Sequence, residues 1–231
     1  MILEQTLEKL RKMKLYGLLA GIEEQINQPD MVSLSFEDRF GLLVDQEWNF
    51  KENRKLDYRL RVAKIKIKDA SVEQIDYRIK RNLNKKLMLS LVHLDWIEKQ
   101  QNIIITGPTG CGKSFLACAL AQKACRDGYL TLYKRAPRLF NELNIARADG
   151  SYGKLLLKLA RVNLLIIDDW GIATLTDMER RDILEILEDR YNTTSTLITS
   201  QIPIENWHDT IGDPTLADAI LDRVVHNAHK I

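Results

Sequence analysis

Gly107-Pro108-Thr109-Gly110-Cys111-Gly112-Lys113-Ser114 has the residue types and spacing to wrap a chain of phosphates. It fits G-x-x-x-x-G-K-[ST], with the apolar run Ile103-Ile104-Ile105 just before it and a helix-forming stretch from Phe115 just after. The glycines let successive N–H groups turn inward towards bound phosphate oxygens. The helix N-terminus behind them adds roughly half a positive charge. In such a loop Lys113 reaches the β- and γ-phosphates of ATP or GTP, and the Ser114 hydroxyl is a ligand for Mg²⁺. A second chemical group follows one predicted strand later, where Leu164-Leu-Ile-Ile167 runs into Asp168-Asp169. Acids commonly follow strands, so the pair is a weak signal alone and a strong one beside a phosphate loop. Asp168 suits the Mg²⁺ shell, and Asp169 suits orienting the attacking water or accepting its proton. Ser200, in the polar end of Thr196-Leu-Ile-Thr-Ser200-Gln, is either an ordinary strand terminus or a contact for the γ-phosphate or the water. Arg223 is either a surface arginine or, if copies of the chain pack side by side, a residue that reaches a neighbour's γ-phosphate. Such an arginine is worth about 10³–10⁵ in rate where it operates.

These residues need a parallel sheet to bring them together, and the pattern from Gln101 onward supplies one. Strand-like runs fall at Asn102–Thr106, Tyr129–Tyr133, Asn163–Ile167 and Thr196–Ser200, with helical runs at about 113–127, 138–148, 152–161 and 177–191. Near-continuous apolar strands separated by helices predict a sheet covered on both faces, with ligands at the carboxyl ends of its strands. The residues before this core read as helical. Leu3, Leu7, Leu10, Leu18, Ile22 and Ile26 recur at helical spacing up to Pro29, and Ser35-Phe-Glu-Asp38 opens a second helix running through Trp48 into a basic stretch. This divides the chain into a helical domain over 1–70 and an α/β core over 71–231, with a soft boundary near 70–78.

Composition bounds the rest. The 231 residues are 45% hydrophobic, enough for one large domain or two small ones. No apolar run is long enough to span a membrane and no secretory leader is visible, so the expected location is the cytoplasm. Cys111, Cys118 and Cys125 fall seven apart, about 10 Å between neighbours along a helix, too far for a disulfide or a shared metal. Charge is segregated although the total is only +2. Residues 51–86 carry thirteen Lys/Arg against five Asp/Glu, and residues 173–222 carry eleven acids against three bases. Solvated helix faces, a DNA surface, or head-to-tail subunit contacts would each produce this polarity.

The chain resembles the IstB-type ATP-binding proteins, AAA+ helpers of insertion-sequence transposases, almost from end to end. The likeness includes Leu34-Ser-Phe-Glu-Asp-Arg39, Ser71-Val-Glu-Gln-Ile-Asp-Tyr77, the loop Gly107–Ser114, Ala146-Arg-Ala-Asp-Gly-Ser-Tyr152 and Leu164-Leu-Ile-Ile-Asp-Asp-Trp-Gly171. It continues through Thr199-Ser-Gln-Ile-Pro203 and Asp213–His229. The phosphate loop is common to many ATPases, whereas the Trp170-Gly171 and Asp213–His229 stretches are narrower signals. The resemblance implies binding to target duplex DNA with ATP and Mg²⁺, assembly on that DNA as a homo-oligomer, and engagement of the element's transposase. It also implies a core similar to the DnaC helicase loaders and DnaA initiators, with Arg223 in the arginine-finger place and Ser200 near the first sensor. Eight residues follow Arg223, so the resemblance leads us to expect a core without a helical lid.

Most AAA+ ATPases carry Glu at the place of Asp169. The shorter Asp, usual in this clade, implies slow turnover. Initiator-type relatives bind DNA with helices between the second and third strands, which makes Arg138, Arg147 and Lys154 candidates. In the N-terminal domain the candidates are Arg54, Arg59, Arg61 and Lys64. Few aromatics are interleaved, which favours salt-dependent backbone contacts on duplex. The nearest rival is a DnaC-like helicase loader, and the more distant ones are a small-molecule phosphotransferase and a DNA scaffold that binds ATP but hardly hydrolyses it.

Overall fold

A computed structural model describes residues 2–78 and 83–231. Lys80 and Arg81 of the basic segment lie outside the described residues. By packing, the chain divides into two units, Met1–Tyr58 and Arg59–Ile231.

The first unit is helical. The run up to Pro29 is two helices, α1 (Ile2–Lys12) and α2 (Tyr16–Asn27), because Lys14 adopts a left-handed φ of 59° and Leu15 N–H turns back to Leu10 O. Helix α3 (Phe36–Ala63) starts where Ser35 accepts from Asp38 N–H, carries the chain into the second unit, and stops at left-handed Lys64. It therefore ends before Lys68, the limit of the basic stretch into which the sequence pattern extends it. Gly17 allows α2 to lie directly on α3, since a Cβ there would meet Glu47 Cα at 2.6 Å. The buried Glu47 carboxylate accepts from Leu18 N–H at 3.0 Å, closing the N-terminus of α2.

In the second unit, residues 59–70 pack with the core, with Ala63, Ile65 and Ala70 buried. Arg59 Nε donates to Cys125 O at 2.7 Å, and Gln122 donates to Lys68 O. This is why the units divide at Tyr58, inside α3, earlier than the change of pattern near residue 70. A capping box at Ser71–Gln74 closes one 3₁₀ turn. Helices α4 (Lys85–Val92) and α5 (Asp95–Glu98) then lead into the sheet.

The sheet elements follow in the order β1 (Asn102–Thr106), α6 (Lys113–Arg126), β2 (Thr131–Arg135), α7 (Ala136–Ala148), α8 (Tyr152–Arg161), β3 (Leu164–Trp170), α9 (Asp177–Arg190) and β4 (Ser195–Ser200). Two short helices, α10 (Trp207–Ile211) and α11 (Pro214–Val225), precede β5 (Ala228–Lys230), a strand absent from the sequence expectation. All five strands are parallel, in the order β2-β3-β4-β1-β5. Ile104, Leu132, Leu165, Ile167 and Ile198 face a core built with α7, α8, α9 and α11, while α6 covers the other face. Trp170 is buried against Trp207, ring centroids 5.8 Å apart, so this narrow sequence signal is a packing residue. No helix among the described residues is long and apolar enough to cross a membrane.

Candidate functional site

The strand order puts β3, β4 and β1 side by side, so the segments leaving their carboxyl ends converge. Gly107 N–H donates to Ser200 O at 3.2 Å, tying the start of the phosphate loop to the end of β4. Gly110 and Gly112 take φ values of 82° and 98°, which residues with a Cβ rarely adopt, and α6 begins at Lys113. The largely buried Lys113 ammonium folds back over the loop and donates to Gly107 O at 2.6 Å and Pro108 O at 2.8 Å.

Asp168 is the centre of the site. It is fully buried, and its two carboxylate oxygens lie 2.9 and 3.0 Å from the Ser114 hydroxyl. Tyr133 and Thr199 also donate to it, and the Lys66 ammonium stands 3.8 Å away. Burial, then the hydrogen bond to Asp168, pushes the Tyr133 phenol far above its ordinary pKa. A hydroxyl and a carboxylate in contact at the head of a phosphate loop are the hard oxygen donors that Mg²⁺ takes, with water and phosphate oxygens completing its octahedron. Ser114 and Asp168 therefore fit that ion.

Asp169 sits differently. Strands β3 and β4 are in register at Ile167–Ile198 and again at Trp170–Ser200, so both acids share one opposing residue, Thr199. The extra residue is a bulge, with Asp169 at a φ of 64°, a conformation Asp tolerates better than most residues. Its carboxylate accepts from Arg135 Nε at 2.7 Å, and this bond, followed by the charge of Asp169, holds the guanidinium above its ordinary pKa.

Ser200 is held within the end of β4. The residue is fully buried, and its hydroxyl donates to Trp170 O at 2.9 Å and accepts from Ile202 N–H at 3.0 Å. It braces the end of β4. The side chain at this strand end that reaches the phosphate loop is that of Gln201, whose Oε1 accepts from the Thr109 hydroxyl at 2.8 Å. It stands next to Ser200 in the polar run, and composition does not distinguish the two. Arg223 lies on α11, where its backbone carbonyl accepts from Asn102 at the first residue of β1. That is about four residues, or 13 Å of strand, from the loop. It pairs with Glu188, so it is remote from its own chain's site.

The basic candidates separate into engaged and exposed residues. Arg147 pairs with the buried Asp182 and lies over the Tyr152 ring, 3.7 Å from its centroid, while Arg59 is anchored on Cys125 as described. Arg54, Arg138 and Lys154 are exposed, and Arg61 and Lys64 line one groove with Lys68. Lys158 and Arg161, four and seven residues beyond Lys154, extend its exposed stripe on α8. Helical spacing alone would have found them.

A parallel sheet in this order, a phosphate loop ending in Lys-Ser and a buried acid against that serine define a P-loop ATPase core of the AAA+ type. The family described as IstB-like ATP binding protein matches residues 8–231, and the chain belongs to it. An insertion sequence ATP-binding protein of Sinorhizobium fredii is 50% identical over 231 residues, covering 100% of this chain and 94% of its own length. The insertion sequence IS21 ATP-binding protein of Pseudomonas aeruginosa is 30% identical, with 95% and 82% of the two chains covered. Among solved structures, the DnaC helicase loader overlays with a TM-score of 0.58 at 22% identity, covering 70% of this chain and 96% of that one. A replication initiator, DnaA bound to AMPPCP and single-stranded DNA, gives 0.57 at 18% identity over 70% of this chain and 49% of its own. These two likenesses carry the fold.

Proposed function

We propose that this protein binds ATP with Mg²⁺, assembles on duplex DNA in that state and helps the transposase of its element, hydrolysis then releasing or resetting the assembly. The observation that carries the reading is the contact of Ser114 with buried Asp168 at the head of a loop whose lysine is already folded inward. Bound Mg²⁺ supplies charge neutralisation at the phosphates. The chain's own residues do the rest: loop N–H groups and Lys113 hold the phosphates, Asp168 and Ser114 hold the ion, and Asp169 orients water once it leaves Arg135. Gln201 is a candidate for sensing the γ-phosphate through Thr109. Arg223 serves the site of a neighbouring copy, because its own is out of reach.

For DNA, the exposed cations of α8 (Lys154, Lys158 and Arg161), with Arg138, Arg54 and the Arg61–Lys64 groove, suit phosphate contacts with little sequence preference. The relatives named for insertion sequences favour this reading over a helicase loader. Sedimentation with a duplex of about 50 base pairs, with ATP-Mg²⁺, with ADP and without nucleotide, tests it. A large complex only with ATP and DNA is expected. A monomer indifferent to DNA in all three conditions refutes it, and pull-downs with transposase and with replicative helicase separate the two partners.

A further inference from the structure

We infer that Thr199 is a positioning residue for both acids at once, an inference that rests on the ATP-Mg²⁺ reading above. Its hydroxyl donates to Asp168 and accepts from Asp169 N–H at 3.2 Å, and its side chain is buried. The register makes this possible. At the bulge two residues of β3 face one residue of β4, and that residue is Thr199. A backbone N–H turned out of the ladder by the left-handed Asp169 would otherwise lack a partner in the sheet. One hydroxyl therefore fixes the orientation of the acid that suits the metal and the backbone setting of the acid that suits the water. Tyr133 shares only the first of these tasks, since its hydroxyl meets Asp168 alone.

The difference between the two hydroxyls gives the test. The full chain is titrated with Mg²⁺ while the binding of a fluorescent ATP analogue is followed, and turnover is then measured at saturating Mg²⁺. Partners that orient a metal ligand are worth about 10–100-fold in metal affinity. Thr199→Val and Tyr133→Phe are both expected to raise the Mg²⁺ needed for half-saturation by that factor, with binding in EDTA unchanged. Only Thr199→Val is expected also to lower turnover at saturating Mg²⁺, and Thr199→Ser, which keeps the hydroxyl, is expected to restore both. If valine prevents folding, Thr199→Ala provides the same comparison. A Thr199→Val protein with wild-type Mg²⁺ dependence and turnover overturns the assignment and leaves the ATP reading standing. So does a Thr199→Ser protein as impaired as the valine variant, since the hydroxyl would then not be what matters. Wild-type protein that binds no nucleotide overturns both.

Discussion

Replacing Lys113 by alanine is the most direct perturbation of the site, and its effect can be sized. Lys113 is 9% exposed, and its ammonium donates to Gly107 O and Pro108 O within the loop that would cradle the phosphates. Hydrogen bonds to charged groups contribute about 1.5–3 kcal/mol each. Losing two to the phosphates weakens ATP by about 3–6 kcal/mol, or roughly 10²–10⁴-fold. The assay is thermal unfolding with and without ATP-Mg²⁺. At about 100 times the wild-type Kd, bound ligand stabilises the native protein by about 2.7 kcal/mol. For a unit the size of Arg59–Ile231 that raises the melting temperature by about 5–10 °C. The variant, at or below its own Kd in the same solution, gains about 0.4 kcal/mol at most, a shift under about 2 °C. Its unliganded melting temperature should fall only slightly, because the two carbonyls it leaves lie in a loop open to water. A Lys113→Ala protein showing the full wild-type shift would refute the assignment of the loop.

Asp169→Asn should keep the ATP-induced shift and lose about 10²–10⁴-fold in turnover, and normal turnover in a phosphate-release assay removes Asp169 from the chemistry. Gly17→Ala places a methyl 2.6 Å from Glu47 Cα and 2.7 Å from Gln46 O, backbone atoms that cannot rotate away. Overpacking of about 1–3 kcal/mol outweighs the roughly 1 kcal/mol of helix propensity gained, so hydrogen exchange across α1 and α2 should quicken; unchanged protection would count against the packing described. Burial would raise the pKa of Glu47, yet Leu18 N–H and Lys51 hold it below 4.5 in the folded protein. Its stabilising contribution is therefore complete above pH 4.5 and disappears as pH falls through the lowered value. Exchange in the first unit should accelerate on acidification, and Glu47→Gln should flatten that dependence.

The parts of the fold legible in the sequence are those where local pattern and tertiary context agree. The four core strands and their helices stand within a few residues of the expected positions, because each strand is almost wholly buried and α6, α7 and α9 end beside Gly128, Gly150 and Asn192, all at positive φ. The nearness of Ser114 and Asp168 was legible for a topological reason. Parallel strands next to or one removed from each other bring their carboxyl ends together whatever lies between them in sequence. The break at Lys14 was not legible. It depends on α2 finding α3 through Gly17 and Gly21, a contact between helices that periodicity within either one does not contain. Strand β5 escaped for a similar reason. Three residues, Ala228–Lys230, have no strand pattern of their own and take their form from the edge that β1 offers.

The contacts of Ser200 follow from a single irregularity in the strand pairing. Counting along two regular parallel strands from the pair Ile167–Ile198 sets Asp168 opposite Thr199 and Asp169 opposite Ser200. On that count Ser200 would stand beside Asp169. The observed register advances β3 by one, so Ser200 faces Trp170 and accepts a structural role, while Thr199 inherits both acids. Nothing in the residue types announces the bulge, since Asp is tolerated in the left-handed region but does not require it. The site thus depends on one residue of excess length in β3, which turns Asp169 towards Arg135 and away from the buried row to which Asp168 belongs. Inserting or removing a residue there would leave every functional side chain present in the sequence and still dismantle the arrangement, because what the bulge sets is which acid each hydroxyl meets.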